Sequence, residues 1–180
     1  RKSADRLLTL INDVIRLSEL DAQGVSRTEE TVELLAVAKE CADLLDYSAA
    51  RRGVAIAVRG EAAFVRAARR DAEELIYNLC DNAVKFTPEG GTIRFTIEKR
   101  DKKAFIAIRN SGDGIPEEEL PYVFERFYKS DRSRGLDKTG TGLGLYISKT
   151  NVNMHGEELT VQSVYGEFCE FSFTLPLAQK

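Results

Sequence analysis

LIYNLCDNAVKFTPEGG, residues 75–91, decides the fold and also carries the first hint of chemistry. At about 100° per residue, Leu75, Ile76, Leu79, Ala83 and Phe86 fall on one apolar arc. The spacing predicts an amphipathic helix from about Arg70 to Phe86. Pro88 disfavours helical backbone in the residue before it, so the helix stops there. Asn78, Asn82 and Lys85 follow at i, i+4 and i+7 along the edge of the arc. Asn is a poor helix former, because its side chain competes for backbone hydrogen bonds. Two carboxamides and an ammonium stacked at a core boundary therefore ask for a reason. An Asn oxygen is a hard ligand suited to Mg²⁺, and a Lys suits a phosphate as a point charge. The bland alternative is a polar edge with no ligand.

Working outward, Gly90-Gly91 leads into Thr92–Glu98, where β-branched and aromatic residues alternate. Asp101-Lys102-Lys103 is a turn and Ala104–Arg109 the returning strand of a hairpin. A short helix should start at Pro116, with Glu117, Glu118 and Glu119 in its first turn. Residues 125–141 have no periodicity and read as a long loop, of the kind that is usually functional or mobile. A helix at about 142–154 and strands near 158–164 and 167–175 close the chain. Upstream, helices are expected over 1–20 and 32–51 and a strand over 54–58. In the first helix Leu7, Leu8, Ile11, Val14 and Ile15 form the apolar side, while Asp5, Asn12, Asp13 and Arg16 fill the other. It is either a core-facing helix or one arm of a bundle whose other parts lie elsewhere. Helices mixed with hairpins predict an α+β fold, a sheet layered against helices, rather than a doubly wound sheet.

Six of the 13 glycines fall between Gly112 and Gly144, which suggests backbone that approaches a ligand or takes positive φ. Gly140-x-Gly142-x-Gly144 is not a Walker A loop, because Asp137 rather than Gly precedes Lys138. It is not a dinucleotide fingerprint either, because the spacing differs and a basic loop, not a strand, precedes it. What remains is a glycine-rich turn opening a helix, where free N–H groups and the dipole favour an anion; a plain hinge is the alternative. Residues 126–138 hold five basic side chains (Arg126, Lys129, Arg132, Arg134, Lys138) against two acidic ones, in a chain of net charge −3. They are either a solvated loop or a loop that closes over a polyphosphate.

The rest of the composition mainly excludes. The chain has 180 residues, about one domain, and is 43% hydrophobic and 31% charged, which is globular. A mildly acidic chain is a poor general nucleic-acid binder. A single histidine, His155, rules out a metal site built from histidines. Cys41, Cys80 and Cys169 lie far apart with no Cys-x-x-Cys, so zinc-ribbon and thioredoxin-like chemistry is excluded. No apolar run approaches the ~18 residues of a membrane span. The chain opens with a helical pattern already running, which suggests a piece of a longer protein.

The same residues resemble a known family. LIYNLCDNAVKFTPEGG (75–91) is similar to the N box of sensor histidine kinases, NSGDGIP (110–116) to their first glycine box, FERFYK (124–129) to their F box and GTGLGL (140–145) to their second glycine box. RLSELDAQG (16–24) resembles the end of the dimerisation and phosphotransfer helix. The resemblance implies a Bergerat-type fold, a two-layer α/β sandwich of mixed sheet on helices. Residues 1–22 would be the end of that helix and 23–180 the catalytic ATP-binding domain. It further implies a histidine protein kinase that passes the γ-phosphoryl of Mg-ATP to a protein histidine for relay to a response regulator. The acceptor histidine would lie on a bundle that this chain lacks. The parent protein would be a homodimer, cytoplasmic in this part and membrane-anchored elsewhere, with no nucleic-acid or membrane contact here.

Residue by residue, the resemblance makes Asn82 the Mg²⁺ ligand. It puts Asn78 and Lys85 at the phosphates or the metal's shell, and Phe86 on the cavity wall. Asn110 would read adenine, with Gly112, Gly114 and Ile115 admitting the base. Residues 125–139 would form a lid, with Lys129 reaching the γ-phosphate. Thr139, Gly140, Thr141, Gly142, Leu143, Gly144 and Leu145 would belong to the phosphate cradle. Asn78, Lys85 and Lys129 are the catalytic candidates. The chain departs from the family at Asn110, where Asp is usual. Two alternatives remain: a degenerate nucleotide-binding or scaffold module, and a hydrolytic ATPase of the gyrase or chaperone kind. The latter carry a Glu general base where this chain has Asn78, and a carboxamide cannot take a proton from water.

Overall fold

The computed structural model describes residues 2–22, 28–129 and 141–179. The elements run α1 (Lys2–Asp21), β1 (Glu30–Glu33), α2 (Leu34–Arg51), β2 (Ala55–Gly60), β3 (Phe64–Ala67) and α3 (Arg69–Phe86). They continue with β4 (Thr92–Arg100), β5 (Lys103–Ser111), a 3₁₀ turn (Glu117–Tyr122), α4 (Gly144–Asn153), β6 (Thr160–Val164) and β7 (Phe168–Pro176). Five strands form one sheet in the order β2-β4-β5-β7-β6, with β2 parallel to β4 and every other pair antiparallel. The expected mixed sheet on a helical layer is present.

Alternation builds the sheet's inner face. Ile93, Phe95 and Ile97 of β4, Ala104, Ile106 and Ile108 of β5, and Phe171, Phe173 and Leu175 of β7 are all buried. Leu75, Ile76, Leu79 and Ala83 of α3 pack on them, as the 3.6-residue period requires. The inward row of β5 ends on Asn110, only 6% exposed, so a carboxamide follows three apolar side chains at the rim of the core. The end of α3 is fixed locally. The Thr87 N–H and Oγ1 both donate to Ala83 O, and Arg52 donates to Lys85 O at 3.0 Å, a cation at a helix C-terminus.

Three features depart from the sequence reading. A second sheet pairs β1 with β3, two four-residue strands joined at Val32 and Val65. The second helix starts at Leu34, because Glu33 folds back to accept from the Ala36 N–H as its N-cap. The first helix presents the side opposite to the one its periodicity suggests. Leu7, Leu8, Ile11, Val14 and Ile15 are exposed, whereas Leu17 and Leu20 are buried against Leu143 and Ile147, and Arg16 is buried as well.

Arg16 explains that orientation. It is 7% exposed and bound to two carboxylates of α3. Its Nε donates to Glu74 at 2.7 and 2.8 Å, and its Nη2 makes a short ion pair with Asp71, itself 4% exposed. Burial pulls the Arg16 pKa down, but the hydrogen bonds and charges of Glu74 and Asp71 outweigh it and hold the guanidinium above its ordinary value. The docked side of α1 thus combines Leu17 and Leu20 with an arginine whose counter-charges the domain supplies.

Candidate functional site

A cavity of about 540 Å³ opens where α3, the end of β5, the start of α4 and α1 meet. Asn78, Asn82 and Lys85 reach it from successive turns of α3, and Phe86 walls it at the helix end. Asn78 and Asn82 have no hydrogen-bond partner among the described residues and are half-buried, so two carboxamide groups face the cavity uncommitted. Lys85 is ion-paired with Asp81 at 3.0 Å, one turn back on the same helix. That pair holds the ammonium against the cavity wall.

At the other side Asn110 Nδ2 donates to Ser111 O at 3.3 Å, which leaves the amide oxygen as its uncommitted acceptor. The loop after it is tied to the β6–β7 hairpin. Gly112 N–H donates to Glu167 O at 3.0 Å, Ile115 N–H to Ser163 Oγ at 2.7 Å and Gly166 N–H to Asp113 O at 2.6 Å. Gly114 sits at φ +67°, and a Cβ there would lie 2.6 Å from Ser163 Oγ, so the close approach of loop and hairpin depends on glycine. Ile115 completes the apolar wall with Val123 and Phe171.

Thr141, Gly142, Gly144 and Leu145 line the third side. Gly142 is at φ +78°, and a Cβ would lie 2.6 Å from the backbone carbon of Phe127. The turn is thereby wedged against the segment that carries Tyr128 and Lys129 to the cavity. α4 starts with no side-chain cap, so its first N–H groups and the positive end of its dipole point out of the helix start.

Of the residues singled out in the sequence, the cavity brings together Asn78, Asn82, Lys85, Phe86, Asn110, Gly114, Ile115, Lys129, Thr141, Gly142, Gly144 and Leu145. Gly112 packs against Pro88 instead of lining it. Leu143 is fully buried between α1 and α4. Thr139, Gly140, Arg132, Arg134, Lys138 and, of the expected lid over 125–139, residues 130–139 lie outside the described residues. His155 lies beyond the far end of α4, with Nδ1 at 3.0 Å from Asn151 O, and does not line the cavity. Cys169 does line it, but burial pushes its thiol up to about 12, so it is a wall and no nucleophile.

Some lining residues escaped the sequence reading. Asp81 was legible as the i−4 partner of Lys85. Thr9 and Asp13 were not: they come from α1, and Thr141 donates to Asp13 at 2.5 Å across 128 positions of chain.

A mixed sheet forming one wall of a cavity, with carboxamides, an ammonium and an uncapped helix start on the others, defines an ATP-binding domain of the kind histidine kinases carry. The chain belongs to the family of histidine kinase-, DNA gyrase B- and HSP90-like ATPases, whose profile matches residues 67–179. The sensor histidine kinase WalK of Bacillus subtilis (strain 168) is 27% identical over 183 residues, covering 100% of this chain and 30% of that protein. The sensor histidine kinase YkoH of the same strain is 34% identical over 158 residues, covering 88% and 34%. The structure of full-length ShkA in complex with AMPPNP superposes with a TM-score of 0.86 at 27% identity, over 100% of this chain and 38% of that one. The chain thus spans about a third of the length of the curated relatives it matches. Among the described residues no helix is long and apolar enough to cross a membrane.

Proposed function

We propose that this chain is the ATP-binding catalytic part of a sensor histidine kinase, acting on a histidine of a phosphotransfer bundle and, through it, on a response regulator. The observation that carries the reading is the convergence on one cavity of Asn78, Asn82, Lys85 and the start of α4, with Asn110 across from them. In this reading residues 1–22 are the end of the bundle's helix and 23–180 the catalytic domain. The exposed stripe Leu7, Leu8, Ile11, Val14 and Ile15 favours a bundle arm, since its apolar side is left uncovered by the domain.

The adenine lies between Phe86 and Ile115, with its exocyclic amine donating to Asn110 Oδ1. The polyphosphate runs toward Gly142, Gly144 and Leu145, whose backbone N–H groups receive it, with Lys85 and Lys129 offsetting its charge. Asn82, supported by Asn78, would hold Mg²⁺. Two uncommitted carboxamides fit a cation that keeps several waters and takes its other ligands from phosphate. Bound there, Mg²⁺ would supply charge neutralisation. In the transfer the bond from the γ-phosphorus to its bridging oxygen breaks and a P–N bond to the imidazole forms. ADP leaves and the imidazole proton goes to solvent. The protein contributes position and charge.

With γ-labelled ATP, this chain alone is expected to stay unlabelled, since its one histidine sits on the far side of α4. Mixed with the parent's own histidine-bearing bundle, it should give an acid-labile phosphohistidine on the bundle. Label on His155, or none on the bundle, would contradict the reading.

The base-reading role has its own test. Asp in place of Asn110 exchanges a neutral bond, worth about 0.5–1.5 kcal/mol, for a charged one of about 1.5–3. It also repels guanine's carbonyl oxygen. A freely flipping amide would give Asn110→Asp roughly a tenfold gain in the ADP-over-GDP affinity ratio. Ser111 O already orients this amide, so the expected gain is about fivefold. Titrating both nucleotides into both proteins measures it, and an unchanged or lower ratio would mean that position 110 does not read the base.

A further inference from the structure

The cavity is closed on one side by α1, which is no part of the sheet or of the helical layer on it. Thr9 and Asp13 line the cavity alongside Thr141 and Gly142 of the glycine turn. Asp13 Oδ2 accepts from Thr141 Oγ1 at 2.5 Å, and the same hydroxyl accepts the Leu143 N–H at 3.3 Å. Leu143 is the residue on which α4 starts. One carboxylate of α1 thus holds, through one hydroxyl, the backbone turn that opens α4. It also places a negative charge at the end of the cavity where the N–H groups favour an anion.

Resting on the nucleotide reading above, we propose that Asp13 is an autoinhibitory latch. With α1 docked, its carboxylate and a nucleoside triphosphate compete for the same glycine turn. Two negative groups in one partly enclosed cavity repel each other, and the helix start favours whichever anion lies nearest. The cost is reciprocal: whatever factor Asp13 takes from nucleotide affinity, bound nucleotide takes from the docking of α1. The docking rests on few side chains, so a charge in the cavity can bias it. Only Arg16, Leu17 and Leu20 of α1 are buried, and the outlying Arg126–Asp21 pair is 3.8 Å long and exposed. Triphosphate binding would weaken the docking of α1 by that same factor and so ease movement of the catalytic domain toward an acceptor histidine.

The test compares the full chain with Asp13→Asn, which keeps the shape and removes the charge, and with Asp13→Ala, which removes the bond as well. Affinity for AMPPNP and ADP is measured by calorimetry with Mg²⁺, and protection of the α1 amides by hydrogen exchange. Both variants should bind AMPPNP about tenfold more tightly than the unaltered chain, about 1.4 kcal/mol, with a smaller gain for ADP. AMPPNP should lower α1 protection in the unaltered chain by a matching factor. Equal affinities would overturn the latch. So would weaker binding by the variants, which would make Asp13 a ligand of the metal or nucleotide. Absence of nucleotide binding by all three proteins would instead overturn the nucleotide reading itself, and the latch with it.

Discussion

Asn82→Ala is expected to lower Mg²⁺-dependent ADP affinity by about a hundredfold, about 2.7 kcal/mol, while leaving affinity without Mg²⁺ nearly unchanged. The size follows from what the side chain would do. A hydrogen bond or ligand to a charged group is worth about 1.5–3 kcal/mol, and Asn82 has no other partner among the described residues to take up the loss. The fold should not suffer, because the site is half-buried on a helix and Ala is the better helix former. The nucleotide-free melting temperature should hold or rise slightly. That separates the ligand role from a structural one: a variant that melts early and binds weakly in both conditions has lost packing, whereas one that loses only the Mg²⁺-dependent part has lost a ligand. Equal Mg-nucleotide affinity in the two proteins would remove Asn82 from the metal site.

α3 was the most legible element because two signals of different origin agreed on it. Its apolar period predicted 70–86 and the helix occupies Arg69–Phe86. The carboxamides on its edge were odd enough, for a helix, to single themselves out. The glycine segments were legible for a related reason, since Gly114 and Gly142 both take positive φ against close neighbours. Asn110 shows what an inward polar residue means at the end of a strand whose other inward residues are apolar. Position 110 could be read from its motif, but its orienting bond to Ser111 O could not.

The unread parts fail for physical reasons. β1 and β3 are four residues long and each commits one or two side chains inward, too few for a period of two to register. The contact of α1 with the glycine turn joins residues 128 positions apart, and no local pattern encodes such a distance. The face of α1 that packs on the domain is misleading in a more general way. Hydrophobic periodicity finds the apolar side of a helix, and here the docked side carries a buried arginine whose counter-charges, Asp71 and Glu74, come from another helix. An ion-paired interface is invisible to a pattern that treats charge as a mark of solvent.

That interface yields the other large effect. Arg16→Met keeps much of the side-chain volume but takes the guanidinium away from the buried Asp71 and from Glu74. Breaking a buried pair by removing one partner costs about 3–5 kcal/mol, mostly the desolvation of the charge left behind. The docking of α1 has little else to set against that. Leu17 and Leu20 supply about 1.5–3 kcal/mol each when fully buried, less the entropy of ordering the helix. Undocking α1 returns Asp71 to water and removes the penalty, whereas the core between the sheet and α2, α3 and α4 contains no residue of α1. The variant should therefore release the helix rather than unfold. Hydrogen-exchange protection of amides in α1 should fall by at least about a hundredfold, against about 2.7 kcal/mol of lost docking, while central amides of β4, β5 and β7 stay protected. Arg16→Met combined with Asp71→Leu should regain most of the docking, because an apolar pair at such a site can equal the ion pair it replaces. If α1 keeps its protection in the single variant, the clamp is not what holds the helix. If the sheet loses protection together with α1, the helix is part of the domain's cooperative core. With the helix released, Asp13 leaves the glycine turn, so Arg16→Met should also raise AMPPNP affinity although it touches no part of the cavity.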